Sequence, residues 1–300
     1  MLIMPLAGMM ASSALASTVV IGGGLVAAVS LIDDLRTLSA SVRLAAHVVA
    51  AAIAVVWIGP VSLMSSTGAG AFAATLDAMI STIWIVGLVN AYNFMDGIDG
   101  LTAGQATVAS AGLVAVGVEL SQFSLVAVGT IVIATSAGFL VQNWSPARLF
   151  LGDVGSVFLG YVIAVSALAG AHENPMIGLI AVALSWPFLF DTSWTLLRRL
   201  RRRENVFEAH RSHLYQRLVA TGLGHRVVAG FYLLLTAVAI GAAVAALRFP
   251  SSAPWILLSY AMSSAAVLIA VVRRHEANNI AARRWKWQAS RTGRLTSRSR

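Results

Sequence analysis

Residues 154–171 read VGSVFLGYVIAVSALAGA and residues 176–196 read MIGLIAVALSWPFLFDTSWTL, with only residues 172–175 between the two runs. The first run contains no charged residue and the second contains one, Asp191. A helix needs about 20 predominantly apolar residues to cross the hydrocarbon core of a membrane. Each run therefore predicts a transmembrane helix, and together they predict that the chain crosses a membrane twice here.

The same apolar pattern recurs along the chain. Seven further runs lie at about 5–30, 41–59, 77–95, 101–118, 124–142, 228–247 and 253–272. The chain is 58% hydrophobic and 11% charged, with a mean hydropathy of +0.80, whereas a soluble domain carries about 25% charged residues. It has no cysteine, which excludes disulfides and thiolate chemistry. The sequence therefore predicts an all-α, polytopic integral membrane helix bundle with about nine transmembrane helices.

The basic residues predict how the bundle is oriented. If the N-terminus is outside, the cytosolic segments are about 31–40, 96–100, 143–153, 197–227 and 273–300. These segments and the adjacent helix ends then contain all of the 21 Lys and Arg residues except Arg248. This asymmetry follows the positive-inside rule and predicts an N-out, C-in protein of a bacterial inner (plasma) membrane. It also accounts for the net charge of +9, so we expect no nucleic acid as a partner.

Two adjacent carboxylates stand at the end of the first run, on the side that this topology makes cytosolic. Asp33 and Asp34 repel each other there, and a bound cation or a proton would relieve the repulsion. Charges at the edge of a membrane are costly and are therefore candidates for function. The alternative is a solvated helix end in which Arg36 is the partner of the pair.

A ladder of polar residues spaced by three ends the third run. It consists of Asn90, Asn93, Asp96 and Asp99. Residues three apart in a helix are neighbours on its surface, so the ladder predicts one polar face. Two amides and two carboxylates suit a base or a sugar together with a metal or an ammonium group. The alternative, a polar helix terminus with ordinary turn residues, leaves the two asparagines inside the apolar run unexplained.

A glycine-rich element begins the run at 154–171. It reads Gly152-Asp153-Val154-Gly155-Ser156. Backbone N–H groups at a helix N-terminus bind phosphate well, and Mg²⁺ usually takes one or two carboxylates together with phosphate oxygens. Asp153 is therefore a candidate metal ligand, and the alternative is an ordinary N-cap aspartate.

A histidine loop lies between the seventh and eighth runs. His210, Arg211 and His213 come close together in it, with Arg217 beyond. Imidazole and guanidinium groups suit phosphate or diphosphate oxygens. Zinc ligation lacks an evident third ligand, and an amphipathic surface helix on lipid headgroups is the other alternative. The clusters together predict a site for a phosphorylated, partly lipid substrate.

The clusters resemble those of the polyprenyl-phosphate N-acetylhexosamine-1-phosphate transferases, glycosyltransferase family 4, over about residues 25–230. The matching parts are Asp33-Asp34, the ladder from Asn90 to Leu101, the element Phe150–Ser156 and the loop His210–His213. The loop is most similar to that of the O-antigen-type branch. The resemblance implies transfer of N-acetylhexosamine-1-phosphate from a UDP-sugar to undecaprenyl phosphate. It also implies release of UMP, a requirement for Mg²⁺ and a role in initiating a cell-surface polysaccharide such as lipopolysaccharide O-antigen.

The resemblance also implies roles for individual residues. It makes Asp153 the Mg²⁺ ligand, and it assigns the pair Asp33 and Asp34 to binding or deprotonation of the lipid phosphate. It places the ladder on the nucleotide and metal side and the histidine loop on the sugar or diphosphate. We therefore expect catalytic roles for Asp33, Asp34, Asp96 and Asp99, and substrate binding by Asn90, Asn93, His210, Arg211 and His213.

The chain departs from the family in one respect. In the family the acidic pair follows the third span, whereas here it follows the first. We expect a membrane transferase domain at 1–272 that lacks the family's first two helices, and a basic cytosolic tail at 273–300. The expected partners are undecaprenyl phosphate, a UDP-N-acetylhexosamine and membrane lipid, with a homodimer as a candidate assembly.

Two other functions remain open from the sequence. One is a truncated, non-catalytic member of the family that binds lipid phosphate or nucleotide sugar. The other is a transporter that uses Asp96 and Asp99 as ion ligands. Transporters often have paired repeats and helices that are interrupted near the membrane midplane. The gathering of the acids at one face disfavours the transporter.

Overall fold

A computed structural model describes the backbone of residues 3–64, 70–206, 208 and 210–296, and the side chains of 13–64, 70–206, 208 and 210–279. Within these residues the chain is helical and contains no strand. The helices are α1 (Ile3–Leu35), α2 (Ala40–Ile58), α3 (Gly70–Met95), α4 (Leu101–Glu119), α5 (Phe123–Asn143), α6 (Gly152–Glu173), α7 (Pro175–Arg201), α8 (Leu214–Ala220), α9 (His225–Arg248) and α10 (Ala253–Thr296). A 3₁₀ turn, Pro250–Ser252, precedes α10.

The predicted number of membrane-spanning helices is confirmed. In the described part of the chain, nine helices are long and apolar enough to cross a membrane. The remaining one, α8, has 7 residues and lies in the connection between α7 and α9. The all-α membrane bundle predicted from the apolar runs is therefore the observed fold class.

The bounds of several helices differ from the predicted ones. Helix α1 continues to Leu35, so Asp33 and Asp34 lie in its last turn. Helix α3 begins at Gly70 instead of 77, which places Asp77 inside it. The buried Asp77 carboxylate accepts backbone hydrogen bonds from the loop before α3, at 3.3 and 2.9 Å. Helix α10 continues to Thr296, well past the predicted end at 272. These helices thus continue past their predicted ends, and Asp33, Asp34 and Asp77 lie inside helices.

Helix α6 forms the centre of the bundle. It packs against α1 and α3, and more lightly against α7 and α5, and most of its surface is buried. A Cβ on Gly160 would lie 3.0 Å from the Val89 Cα and the Tyr92 Cβ. The glycine therefore lets the backbones of α6 and α3 approach closely, as small residues do between membrane helices. This approach sets the end of α3 beside the beginning of α6.

The remaining helices flank this centre. Helix α2 lies against α1 and α3, α4 against α5 and α9, and α7 against α9 and α10. Because the chain crosses back and forth, the ends of odd-numbered helices up to α7 meet the beginnings of α2, α4, α6 and α9. We call this part of the bundle the polar end, and it comprises residues 31–43, 90–101, 143–156 and 198–226. It contains all the residues that the sequence singled out for function.

Candidate active site

The two carboxylates of the acidic pair have different surroundings. Asp33 Oδ2 lies 2.7 Å from Arg43 Nη1, at the beginning of α2. Its Oδ1 accepts a hydrogen bond from the Leu38 N–H at 2.6 Å. Asp33 therefore closes the turn between α1 and α2, and its partner is Arg43. The alternative in which Arg36 pairs with the acidic residues is wrong.

Asp34 points elsewhere. It is exposed, and its Oδ2 would lie 3.6 Å from a Cβ placed on Gly152, the first residue of α6. Its carboxylate is repelled by that of Asp153 in addition to that of Asp33. Asp34 therefore faces the beginning of α6, where two neighbouring carboxylates repel its own.

Asp153 lies in the first turn of α6. Leu151 is the N-cap of the helix, and no side chain makes a capping hydrogen bond there, so the interpretation of Asp153 as an N-cap is wrong. The Asp153 side chain is 38% exposed, and its Oδ2 lies 3.7 Å from Arg43 Nη1. Arg43 thus stands between Asp33 and Asp153. A carboxylate that is accessible and only loosely paired is free to bind a cation.

The polar ladder does not form one continuous face. Helix α3 ends at Met95, and a turn follows in which Gly100 has a φ of +75°, a left-handed conformation that favours glycine. Asn93 lies near the end of α3, while Asp96 and Asp99 both lie in the turn. The prediction that helical spacing carries the whole ladder to Asp99 is therefore wrong, because the helix stops before the last two positions.

The two asparagines have separate partners. Asn90 Nδ2 donates to the Val86 carbonyl at 2.7 Å and lies 3.3 Å from Nδ1 of the buried His47 on α2. Asn93 Nδ2 donates to Ser156 Oγ at 3.4 Å, in the first turns of α6. Asn90 thus joins α3 to α2 within the bundle, whereas Asn93 joins α3 to the glycine-rich element that contains Asp153.

Asp99 is tied to loops on the other side of the turn. Its Oδ2 accepts a hydrogen bond from the Ala147 N–H at 3.2 Å and lies 3.3 Å from His225 Nδ1. Desolvation acts to raise the pKa of Asp99, but these interactions and a hydrogen bond from Ser145 hold it below its ordinary value. An ionised Asp99 therefore fastens the α5–α6 loop and the beginning of α9 to the turn, apart from Asp96.

Asp96 lies close enough to Asp153 for the two carboxylates to repel each other. Burial raises the pKa of Asp96 to about 7, and the negative charge of Asp153 adds to the rise. Asp34, Asp96 and Asp153 thus come from α1, the turn after α3, and α6. Each of the first two is affected by the charge of the third. We call these three residues the acidic group.

The histidine loop lies against the end of α3. His213 is buried, its ring is stacked 5.9 Å from that of Phe94, and its Nδ1 lies 3.3 Å from Asp191 Oδ1. The His210 ring lies 5.0 Å from that of His213, and Arg211 is exposed. Desolvation, with nearby positive charge, lowers the pKa of His210 to about 4, so His210 is neutral at pH 7. The exposed cation of the loop is therefore Arg211.

Arg217, beyond the loop, is not directed at the acidic group. Its guanidinium makes two hydrogen bonds, of 2.8 and 2.7 Å, to the carboxylate of Glu276 on α10. The bidentate pair fastens α8 to α10.

Asp191 belongs to this region, although the sequence pattern did not reveal its role. It is fully buried in α7, and its carboxylate accepts hydrogen bonds from the beginning of α8. Its signal in the sequence was a single carboxylate inside an apolar run, which is costly in a membrane unless it has a partner. That partner became visible only when α7 and α8 were seen together.

The residues at the polar end can be tested for the predicted Mg²⁺. Among the residues that the structure describes, no three His, Cys, Asp or Glu side chains are close enough together to hold a metal by themselves. Mg²⁺ commonly takes one or two carboxylates and fills its remaining positions with phosphate oxygens and water. The acidic group fits that mode, with Asp153 as the accessible carboxylate, and does not fit a cage made of protein ligands alone.

The chain is similar in sequence to proteins of a known family. The family model described as glycosyl transferase family 4 matches residues 16–171, just over half of the chain. That region contains the acidic group and the whole polar ladder.

Individual relatives are similar over more or less of their length. A probable undecaprenyl-phosphate N-acetylglucosaminyl 1-phosphate transferase of Bacillus subtilis is 32% identical over 55% of this chain and 48% of its own length. A decaprenyl-phosphate N-acetylglucosaminephosphotransferase of Mycobacterium leprae is 28% identical over 86% of this chain and 72% of its own length. An undecaprenyl-phosphate alpha-N-acetylglucosaminyl 1-phosphate transferase of Thermotoga maritima is 29% identical over 68% and 63%. The chain thus spans about half the length of the Bacillus relative and more of the others.

Proposed function

Because the chain belongs to glycosyl transferase family 4, we propose that it transfers N-acetylhexosamine-1-phosphate from a UDP-sugar to undecaprenyl phosphate and releases UMP. The observation that carries this proposal is the convergence of Asp34, Asp96 and Asp153 at one end of a membrane bundle. Relatives whose names specify a polyprenyl phosphate and N-acetylglucosamine 1-phosphate support the same reaction.

The surroundings of the acidic group suit an acceptor that is partly lipid. Leu149 and Phe150, in the α5–α6 loop just before Asp153, are 52% and 76% exposed. Exposed apolar side chains next to carboxylates offer the isoprenoid chain a contact while its phosphate reaches the acidic group. A soluble acceptor would gain nothing from this pairing of apolar and acidic residues.

The proposed reaction is a displacement at phosphorus. An oxygen of undecaprenyl phosphate bonds to the β-phosphorus of the UDP-sugar, the bond from that phosphorus to the bridging oxygen breaks, and UMP leaves with that oxygen. The nucleophile is already an anion, so positioning and charge compensation matter more than a strong base. Asp34 is the better placed of the pair to accept a proton from the lipid phosphate, because Asp33 is held by Arg43.

The residues around the acidic group would divide the remaining tasks. Asp153, with Asp34 or Asp96 beside it, would hold Mg²⁺, which when bound supplies positive charge that neutralises phosphate oxygens. Arg43 lies within reach of Asp153 and supplies a fixed positive charge. Arg211, which is exposed on the histidine loop, would contact the sugar diphosphate.

The location follows from the same proposal. The positive-inside asymmetry supports a polar end that faces the cytoplasm at a bacterial inner membrane. The lipid-linked sugar diphosphate would then begin a cell-surface polysaccharide, such as O-antigen.

Release of UMP tests the proposal. Purified protein in detergent is given undecaprenyl phosphate, a UDP-N-acetylhexosamine and Mg²⁺, and Asp153→Asn is compared with Glu119→Gln. Glu119 is an exposed carboxylate at the opposite end of the bundle, 3.7 Å from Arg248, so its change to an amide is a matched control. We expect UMP from the wild type and from Glu119→Gln, and a loss of at least a hundredfold in Asp153→Asn. Binding of the UDP-sugar without any UMP would contradict the proposal and support the non-catalytic alternative.

A further inference from the structure

Asp191 binds the backbone at the beginning of α8, directly after the histidine loop. Its carboxylate accepts hydrogen bonds from the Leu214 N–H at 2.8 Å, the Tyr215 N–H at 3.0 Å and the Tyr232 hydroxyl at 2.6 Å. The first N–H groups of a helix have no partner inside the helix, so a carboxylate from another helix satisfies them here. The carboxyl group is fully buried, and these hydrogen bonds hold the beginning of α8 against α7.

Tyr215 extends from this fixed point to the end of α3. Its ring is buried, and its hydroxyl donates to the Phe94 carbonyl at 3.1 Å, two residues before Asp96. A Cβ on Gly97 would overlap the Tyr215 hydroxyl, so the phenol reaches its acceptor only because residue 97 has no side chain. The hydroxyl thus lies in close contact with the turn that presents Asp96.

Tyr215 is suited to set the distance between two parts of the site. Helix α8 packs against α7, α9 and α10. The end of α3 is reached from this region by the Tyr215 hydroxyl and by the His213 ring on Phe94. A hydrogen bond restrains direction and distance more closely than ring contact does.

We propose that Tyr215 is a positioning residue that fixes the distance between the histidine loop and the acidic group. Asp191 holds the backbone of Tyr215 in place. This inference rests on the proposed function, in which the loop holds the sugar diphosphate and the acidic group holds the lipid phosphate and Mg²⁺. Tyr215 touches neither substrate. It keeps the two reactants at the separation that the displacement requires.

The variant Tyr215→Phe tests this role, because it keeps the buried ring and removes only the hydroxyl. Tyr260→Phe is the matched control. The Tyr260 ring is also buried, and its hydroxyl donates to the Leu235 carbonyl at 3.0 Å, between α10 and α9 and outside the polar end. Both changes remove one phenol-to-carbonyl hydrogen bond, so they carry similar costs in stability.

Steady-state kinetics of UMP release separate positioning from binding. A misplaced reactant lowers kcat more than it raises KM, and small displacements are costly. For Tyr215→Phe we expect kcat to fall about tenfold with KM changed less than about threefold, and for Tyr260→Phe we expect wild-type values. An equal loss in both variants, or wild-type kcat in Tyr215→Phe, would overturn the proposal. Gly97→Ala displaces the same hydroxyl from the α3 side and should reproduce the loss if Tyr215→Phe fails to fold.

A distance measurement keeps this inference separate from the proposed reaction. The chain has no cysteine, so nitroxide labels can be attached at Glu208→Cys, just before the histidine loop, and at Arg148→Cys in the α5–α6 loop, both of which replace exposed side chains. Double electron–electron resonance then measures the distribution of distances between the two labels, and so between the region of the histidine loop and the α5–α6 loop. We expect a broader or shifted distribution in Tyr215→Phe and an unchanged one in Tyr260→Phe. If the wild type makes no UMP but the distribution responds in this way, the proposed function fails and the positioning contact stands. An unchanged distribution in Tyr215→Phe would refute the contact itself.

Discussion

The pKa of Asp96 makes the stability of the protein depend on pH in a defined direction. The folded carboxyl keeps its proton up to about pH 7, whereas the ordinary value is 3.8. Between these values the folded state binds more protons than the unfolded state, so the free energy of unfolding falls as pH rises. The contribution of Asp96 is therefore fully present below about pH 4, is lost between about 4 and 7, and changes no further above 7.

The size of this effect follows from the shift. One pKa unit corresponds to about 1.4 kcal/mol, so a rise from 3.8 to about 7 sets an upper limit of roughly 4 kcal/mol. Because the Asp96 side chain is only partly buried, water screens some of the cost, and we expect about 2 to 4 kcal/mol. Asp96→Asn replaces the carboxyl by an amide that does not ionise, so the variant should lose this part of the pH dependence.

Unfolding by SDS in mixed micelles, followed by circular dichroism between pH 4.5 and 8, measures the difference. The wild type should lose stability relative to Asp96→Asn as pH rises to about 7. Asp99→Asn is the control, because the pKa of Asp99 is held below its ordinary value and its contribution is lost only as pH falls through that lower range. If wild type and Asp96→Asn follow the same slope between pH 4.5 and 7, the burial of Asp96 described above is wrong.

Two further changes test the framework around the site. Gly160→Ala places a methyl group against the α3 backbone and should lower the free energy of unfolding by about 1 to 3 kcal/mol, seen as a lower Tm in detergent, whereas Gly138→Ala has open space and should not. Arg43→Gln leaves Asp33 and Asp153 without their shared cation and should raise the KM for undecaprenyl phosphate about tenfold. An unchanged KM would show that Arg43 serves only the α1–α2 turn.

The membrane helices could be predicted because the thickness of the hydrocarbon sets their length and apolar character. The ends of the helices could not be predicted, because an apolar run sets a minimum length for a helix but not where the helix begins or ends. Asp77 illustrates this: it was expected at the first position of the third run, yet it lies inside α3, where two loop N–H groups donate to its carboxylate. Such a partner is close in space and invisible in the local pattern.

The acidic positions could be predicted for a similar reason. Carboxylates at a membrane edge are costly, so Asp34, Asp96 and Asp153 stood out from the sequence. Asp99 and Asp96 are separated because the chain leaves the helix after Met95 and turns at Gly100. A spacing of three residues does not reveal that turn. The role of Asp191 depends on contact between α7 and α8, which no single segment reveals.

The fate of the β-phosphate tests the central claim most directly. UDP-N-acetylglucosamine labelled with ³²P at the β-phosphate is incubated with the protein, undecaprenyl phosphate and Mg²⁺, and the label is followed into the organic phase. Transfer of a sugar 1-phosphate carries the labelled phosphate onto the lipid, and Asp153→Asn should leave it in the aqueous phase. Label that remains in UDP while the sugar appears on the lipid would mean transfer of the sugar alone, and would contradict the account.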